Sequence, residues 1–301
     1  MSTYSWAAGY IDSDRPKIVT SRFQYEDGYT IDRYHATGGY QALRAALART
    51  PGEVHDEVKN ATVLGRGGAG FPAGTKWGLM PANKYPRYLV VNGDESEPGT
   101  YKDRLLMERD PHQLVEGCLI AAYAAGLSQV FLYIRGEMPL AHERVGQALN
   151  EAYAAGYVGK NILGTSFSVD IVLHWGAGAY VVGEETALIE SLEGKRGEPR
   201  LKPPFFPAAI GLYGQPTIVN NVETLSNLPW LISNGAAAYT SIGTQTSPGT
   251  RMVAVSGHVN RPGVYEIING TTTFRDLFYG DEFCQGIRNG NELKAFVPGG
   301  G

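Results

Sequence analysis

The sequence predicts an α/β protein built on a mainly parallel sheet. Short apolar segments alternate with longer amphipathic ones between residues 87 and 193, in the order strand, helix, strand, helix, strand, helix. The 301 residues are 43% hydrophobic and 19% charged, which provides enough apolar material for a sizeable core. Ligands of such folds bind beyond the C-terminal ends of the strands, so we expect functional residues there.

The first predicted element is a helix over Gly39–Arg49, because Tyr40, Leu43 and Leu47 fall on one face. Pro51 is predicted to end this helix. The residues before it are expected to be irregular and to wrap the surface.

Three strands and three helices follow between residues 87 and 193. Asp110 fits an N-cap, Pro111 the first helical position, and Gly126 the helix end. The predicted strands are Arg87–Asn92, Gln129–Arg135 and Ser168–Trp175, and the predicted helices are residues 110–125, 139–155 and 183–193.

The chain changes character after a further predicted helix over Asn220–Asn234. A linker rich in Ser, Thr and Gly is predicted at residues 240–250. A hairpin and a short helix are then predicted, which is a small α+β module. The hairpin strands are Met252–Ser256 and Val264–Ile268, and the helix lies around Phe274–Phe278. We therefore expect an N-terminal segment (1–60), a ligand-binding domain (61–245) and a small module (250–301).

Charge and cysteine content exclude several classes of protein. The net charge is −4 and no Lys/Arg-rich run occurs, which argues against a nucleic-acid-binding face. Cys118 and Cys284 are expected to be reduced thiols of a cytoplasmic protein, and two thiols cannot hold a four-cysteine iron–sulfur cluster. The N-terminus has no secretory pattern, and the longest apolar run, Cys118–Leu127, is too short to span a bilayer. Membrane association is therefore expected only through a partner.

Glycine is enriched, with 39 residues clustered in a few loops. Gly65–Gly70 fits the pattern G-x-G-x-x-G, in which backbone N–H groups can face a phosphate. Arg66 and Lys76 supply cations nearby, but Phe71 and Pro72 follow at once and no clear strand precedes the loop. A phosphate-binding loop is predicted, with a plain glycine turn as the alternative.

Three other segments carry candidate binding residues. Asn92–Glu97 ends the first strand and could bind ribose hydroxyls, hold Mg²⁺ or be a solvated acidic turn. Glu184 and Glu185 begin a helix, where the helix dipole alone would favour them, and the preceding Tyr180 could simply pack. The stiff basic loop at residues 194–207 could be solvated, or its Phe205–Phe206 pair could stack on a purine.

No Ser/His/Asp or Cys/His nucleophile arrangement occurs, and the six histidines are scattered. This absence favours chemistry that depends on orienting ligands rather than on protein acid–base groups, such as hydride transfer between two cofactors.

Taken together, these segments resemble the flavin-carrying, NADH-oxidising F subunit of bacterial NADH-quinone oxidoreductase, respiratory complex I. The likeness covers about Val63 to Gly301. It is carried by Gly65–Pro72 with Lys76-Trp77, by Asn92–Gly99, by Gly176–Tyr180 with Gly183–Ser191, by Gly194–Arg200 and by Pro216–Thr224. The resemblance implies a Rossmann-like layered domain binding FMN and NADH, followed by a β-grasp, ubiquitin-like, soluble-ligand-binding-like module.

The resemblance also implies residue roles. FMN would be contacted by Gly65, Arg66, Gly67, Lys76, Asn92, Asp94, Glu95, Tyr180, Gly183, Glu184, Val219, Asn220, Asn221 and Thr224. NADH would be contacted by Gly68, Ala69, Phe71, Glu97, Glu185 and Phe205. The acidic candidates for a proton-transfer role are Glu95 and Glu185, and no protein metal site is expected.

The sequence departs from the family pattern at two places. Val182 stands where a cysteine is usual, and Phe205-Phe206 replaces a single Phe, which could shift the adenine-stacking position by one. The family also continues into a helical domain whose cysteines bind a [4Fe–4S] cluster. The sequence shows no such domain, so we expect the natural protein to continue beyond Gly301.

The resemblance predicts hydride transfer from NADH to FMN, followed by single-electron transfer to iron–sulfur subunits, one of them thioredoxin-like with a [2Fe–2S] cluster and the other large. The chain would lie in the peripheral arm at the cytoplasmic face of the inner membrane. One alternative is the diaphorase component of an NAD-linked hydrogenase or formate dehydrogenase. Another is a non-catalytic scaffold that has lost its flavin.

Overall fold

The computed structural model describes residues 15–299, and a four-stranded parallel sheet lies at their centre. Its strands are β1 (Tyr88–Gly93), β2 (Gln129–Ile134), β3 (Asp170–Trp175) and β4 (Thr217–Asn221), in the order β3-β2-β1-β4. All three pairings are parallel, which confirms the predicted α/β class and the three predicted strands. The C-terminal ends of all four strands therefore meet at one edge.

The prediction of one helix over residues 220–234 is wrong at its start. Asn220 and Asn221 belong to β4, and Asn221 then caps the helix that follows. The strand is only five residues long, so its apolar run is too short to separate from a helix by periodicity. A second break comes at Asn227, because Pro229 cannot continue the preceding turn.

Twelve helices accompany the strands in the described residues. In chain order they are α1 (Ile31–Ala36), α2 (Gln41–Leu47), α3 (Pro51–Asn60), α4 (Ala73–Trp77), α5 (Lys102–Arg109), α6 (Pro111–Ala125), α7 (Pro139–Ala154), α8 (Glu185–Leu192), α9 (Val222–Ser226), α10 (Leu228–Asn234), α11 (Ala236–Thr240) and α12 (Phe274–Tyr279). The bounds of α2, α6, α7 and α8 agree with the predicted helices, while the sequence patterns do not predict α1, α3, α4 and α5.

Strands β1 and β4 are largely buried on both faces of the sheet, whereas the edge strand β3 has exposed side chains. On one face Leu89, Val130 and Ile218 pack in a core that includes the apolar residues of α6 and α7. On the other, Val90 and Val219 pack against α8. The α6 boundaries are as predicted: Asp110 accepts a hydrogen bond from the Gln113 N–H, and Gly126 ends the helix at φ +61°.

The expectation of an irregular surface segment before residue 39 is correct only in part: residues 15–30 contain no helix or strand, but α1 follows and several side chains of the segment are buried. Ile18 and Tyr34 are buried, and the buried Glu116 carboxylate accepts hydrogen bonds from the Tyr34 hydroxyl and from the N–H groups of Tyr40 and Leu43. The carboxylate that holds this segment is far from it in the sequence, so no local sequence pattern predicts that the segment is buried. Pro51 does not merely end a helix; it begins α3. Residues 1–14 of the predicted N-terminal segment lie outside the described part.

The module after residue 250 is a hairpin with its own small core. Strands β5 (Gly243–Thr244) and β6 (Ser247–Pro248) form a short hairpin within the predicted linker. Strands β7 (Thr250–Val255) and β8 (Gly263–Ile268) pair antiparallel as predicted, and α12 packs on them. Gly300 and Gly301 lie outside the described residues. Within residues 15–299 no helix is long and apolar enough to cross a membrane.

Candidate functional site

The glycine loop begins at an isolated bridge and not at a strand. Leu64 pairs with Pro72, and the Gly65 N–H donates to the Phe71 carbonyl at 3.1 Å, which closes the loop at its base. Gly68 and Gly70 have φ of +121° and +69°, which side chains rarely adopt. Residues 67–69 are exposed, and their N–H groups have no hydrogen-bond partner among the described residues. The loop therefore presents free backbone donors.

Lys76 connects the loop to the strand ends. Its Nζ donates to Glu185 Oε2 at 2.8 Å and to the Val219 carbonyl at 2.9 Å. The neighbouring Trp77 donates through Nε1 to Asn220 Oδ1 at 2.9 Å. Helix α4 thus places a cation and an indole against the end of β4 and the start of α8.

The segment after β1 lies against the turn that precedes α8. Asn92 Nδ2 donates to the Gly183 carbonyl at 2.9 Å, and a Cβ on Gly183 would come within 3.3 Å of the Asp94 carbonyl. Burial raises the pKa of Asp94, against its hydrogen bond from Ser96. Residues predicted from two distant motifs are therefore in contact.

Glu95 is buried, and both carboxylate oxygens are occupied. They accept the N–H groups of Asp103 and Arg104 at 3.0 and 3.1 Å, so Glu95 caps α5. Burial, followed by the charge of Asp103, raises the pKa of Glu95 to about 7. The Glu95 carboxyl group would therefore titrate near neutral pH. Both of its oxygens, however, already accept hydrogen bonds from the first N–H groups of α5.

The two glutamates at the start of α8 have different environments. Glu184 caps the helix, accepting the N–H groups of Thr186 and Ala187 at 2.8 and 3.0 Å. Glu185 binds Lys76 and also Lys202, the latter at 2.9 Å. Burial acts to raise the pKa of Glu185, but the two lysines outweigh it and hold the pKa below its ordinary value. Glu185 is therefore an ionised carboxylate.

Tyr180 and Glu97 meet across the cleft between the β3 and β1 loops. The Tyr180 hydroxyl donates to Glu97 Oε2 at 2.5 Å, although the Tyr180 side chain is otherwise 62% exposed. Both residues remain accessible to a ligand entering the cleft.

Arg66 and Asn221 are turned inward. The Arg66 N–H donates to Thr224 Oγ1 at 2.8 Å, and the buried guanidinium donates to the carbonyls of Pro248 and Thr250. The Asn221 side chain donates to Asp103 and caps α9. The side chains of Arg66 and Asn221 and the Arg66 N–H therefore all bind partners within the protein.

The aromatic residues expected at the nucleotide end are exposed. Phe71, Phe205 and Phe206 are 47%, 38% and 53% exposed. Phe205 lines a surface groove together with Leu201 and Tyr213.

Sequence reasoning missed several charged residues of the site. Lys202 pairs with Glu185 and with Glu184, the residue that caps α8, and Lys102 forms 2.8 Å ion pairs with Asp103 and Glu223. Charged side chains are usually solvated, so no local signal marks Lys102 and Lys202 as buried or bridging.

The residues present fit a flavin with a phosphate. Glycine N–H donors, the Lys76 cation and the ends of β1 and β4 converge on one cleft, and glycines border it where Cβ atoms would crowd the backbone. Residues 15–299 contain no group of three or more His, Cys, Asp or Glu side chains that could hold a metal ion.

One known protein family and several known proteins match this chain. A family described as the Nuo51 FMN-binding domain matches residues 58–230. An F subunit of NADH-quinone oxidoreductase from Rhizobium meliloti is 50% identical over 94% of this chain and 67% of its own length. The F subunit of the Aquifex aeolicus enzyme is 50% identical over 90% of this chain and 63% of its own length. The chain thus spans about two thirds of the length of these relatives.

Solved structures of an NAD⁺-reducing [NiFe]-hydrogenase are also similar. The H2-reduced state has a TM-score of 0.68 and 43% identity over 76% of this chain and 38% of that chain. The air-oxidised state has a TM-score of 0.73 and 38% identity over 86% of this chain and 43% of that chain.

Proposed function

Because this chain belongs to the family of NADH-quinone oxidoreductase F subunits, we propose that it binds FMN and NADH in one cleft and aligns them for hydride transfer. The observation that carries the proposal is the convergence of the glycine loop, Lys76 and the ends of β1 and β4 inside the matched FMN-binding domain. FMN, when bound, supplies an acceptor for hydride that can release electrons one at a time.

The proposed FMN site combines backbone donors with a few polar side chains. Free N–H groups of the glycine loop and the Lys76 ammonium bind the anionic and polar parts of the cofactor. The members of the site are Gly65, Arg66, Gly67, Lys76, Asn92, Asp94, Glu95, Tyr180, Gly183, Glu184, Val219, Asn220, Asn221 and Thr224. Among these, the hydrogen bond from Asn92 to the Gly183 carbonyl fixes the width of the cleft.

The proposed NADH site lies at the open side of the loop. Gly68, Ala69 and Phe71 contact the nicotinamide half, Glu97 and Glu185 accept hydrogen bonds from hydroxyl and amide groups, and Phe205 stacks on adenine. These carboxylates favour NADH over NADPH, because a 2′-phosphate near them would be repelled.

Neither acidic candidate is placed as a proton-transfer residue. Glu185 is ionised and held by Lys76 and Lys202, while both oxygens of Glu95 cap α5. The chain's contribution is orientation and charge: it holds two ring systems in contact and places fixed charges around them.

Beyond the cleft, we propose the division into an N-terminal segment (1–60), an FMN/NADH domain (61–245) and a β-grasp-like module (250–301). The proposed partners are the iron–sulfur subunits of a respiratory complex, in a peripheral arm at the cytoplasmic face of the inner membrane. The names of the relatives, which are subunits F of NADH-quinone oxidoreductases, support assembly into a multi-subunit enzyme. The diaphorase of an NAD-linked hydrogenase is a second candidate, which the two similar hydrogenase structures favour.

Flavin binding tests the proposal directly. The protein is stripped of any flavin and titrated with FMN, and quenching of FMN fluorescence gives the affinity. We expect saturable one-to-one binding. A folded protein that leaves FMN fluorescence unchanged would instead support the flavin-less scaffold.

A further inference from the structure

The free edge of β7 is held by two side chains from the FMN/NADH domain. The Arg66 guanidinium donates to the Thr250 carbonyl at 2.8 Å, and Glu223 Oε1 accepts the Met252 N–H at 2.8 Å. In an antiparallel pair, the backbone groups of alternate residues point to the same edge, and β7 pairs only with β8 in the described residues. Arg66 and Glu223 therefore supply the donor and the acceptor that a neighbouring strand would supply.

Both side chains are removed from water. Each is 1% exposed, and Arg66 Nε lies 4.0 Å from Glu223 Oε1, so the two charges compensate one another inside the protein. Arg66 Nη2 also lies 3.3 Å from the Tyr239 hydroxyl and from the Pro248 carbonyl. Buried charges are costly unless paired, so loss of either partner leaves the other strongly destabilising at this junction.

The same two residues are also linked to the glycine loop. Arg66 is the second residue of the glycine loop, and among residues 66–70 it alone forms hydrogen bonds with the described rest of the chain. Glu223 lies in α9 beside Thr224, which accepts the Arg66 N–H, and its Oε2 is paired with Lys102 at 2.8 Å. One buried cluster, formed by Arg66 and Glu223, therefore holds both the glycine loop and β7.

We propose that Arg66 and Glu223 are positioning residues through which the module at residues 250–299 sets the conformation of the glycine loop and hence its affinity for FMN. Neither side chain is proposed to contact FMN. Each acts through the backbone of the glycine loop and of β7. The inference rests on the proposed function for its flavin readout only, since the coupling between loop and module can be measured without a cofactor.

Hydrogen exchange of the apoprotein tests the coupling, read on peptides covering residues 62–72 and 248–256. Arg66→Met is expected to speed exchange at Met252, an amide that Arg66 does not touch. Glu223→Gln is expected to speed exchange at the Arg66 amide, which Glu223 does not touch. Arg275→Met, the same replacement at an exposed side chain of α12 in the same module, serves as the matched control and should leave both peptides unchanged.

The affinity of the same variants for FMN is measured next. Glu223→Gln is expected to weaken FMN binding about tenfold, while Arg275→Met stays within about twofold. If Arg66→Met does not fold, Arg66→Lys replaces it and should give a smaller effect in the same direction. Folded variants with wild-type exchange in both peptides and wild-type FMN affinity would overturn the proposal. If the wild type binds no FMN, the proposed function fails, whereas exchange still decides the coupling.

Discussion

Lys76 and Glu185 form a 2.8 Å ion pair that connects the helix after the glycine loop to the first turn of α8. The same ammonium binds the Val219 carbonyl at the end of β4. One side chain therefore joins three of the segments that build the cleft. It is partly buried, where a bridging cation can both organise the walls and attract an anionic ligand.

Replacing Lys76 is the first prediction. Lys76→Met should weaken FMN binding about tenfold or more, because it removes a charged donor and leaves Glu185 to repel the phosphate. Fluorescence titration measures the change, and Lys160→Met, at an exposed surface lysine, is the control. Equal FMN affinities for Lys76→Met and wild type would show that Lys76 does not face the cofactor.

The second prediction separates NADH binding from FMN binding. Glu97→Gln should raise the KM for NADH several-fold with little change in FMN affinity, because Glu97 lies at the cleft mouth beside Tyr180. Phe205→Ala should act in the same way through lost stacking. Activity with an artificial electron acceptor gives KM, and fluorescence gives the FMN affinity. Equal losses for both ligands would contradict the proposed division of roles.

A third prediction follows from the raised pKa of Glu95. Its pKa of about 7 in the folded protein exceeds that of an exposed glutamate, so the folded state binds this proton more tightly. The stability that protonation contributes is fully present below about pH 4, near the pKa of an exposed glutamate, and is lost as pH rises through about 7. Glu95→Gln cannot ionise, so its stability relative to wild type should rise between about pH 5 and pH 8, by on the order of 1 to 3 kcal/mol. Urea unfolding across this range measures the difference, and a pH-independent difference would show that Glu95 does not titrate there.

The fourth prediction concerns how the N-terminal segment is held. Glu116→Leu leaves the Tyr40 and Leu43 N–H groups and the Tyr34 hydroxyl buried without their acceptor. It should lower the free energy of unfolding by about 2 to 4 kcal/mol. Urea titration gives the value, and Glu143→Leu on the exposed face of α7 should cost less than about 0.5 kcal/mol. Similar costs for the two variants would mean that the carboxylate is not a structural anchor.

The elements that the sequence predicts well are those with a clear local pattern. Helix α6 has an N-cap, a first-turn proline and a left-handed glycine after it, and β2 is apolar from Val130 to Ile134. Strand β4 and helices α1 and α5 escape sequence-based prediction because short segments carry too few periodic positions.

The residues of the candidate site likewise separate into those that a local sequence pattern predicts and those that it does not. The glycine loop, Asn92 and Lys76 stand out in sequence because their residue types are unusual in those contexts. The inward orientation of Arg66, the capping role of Glu95 and the pairing of Lys102 with Glu223 depend on partners at least 8 positions away in sequence. Such contacts are tertiary, and no local propensity encodes them.

Anaerobic addition of NADH to the FMN-loaded protein tests the central claim most directly. If the cleft holds FMN and NADH in contact, the flavin absorbance should bleach on mixing with one equivalent of NADH, and NADPH should bleach it far more slowly. A protein that retains its yellow flavin but shows no bleaching with NADH would contradict the account.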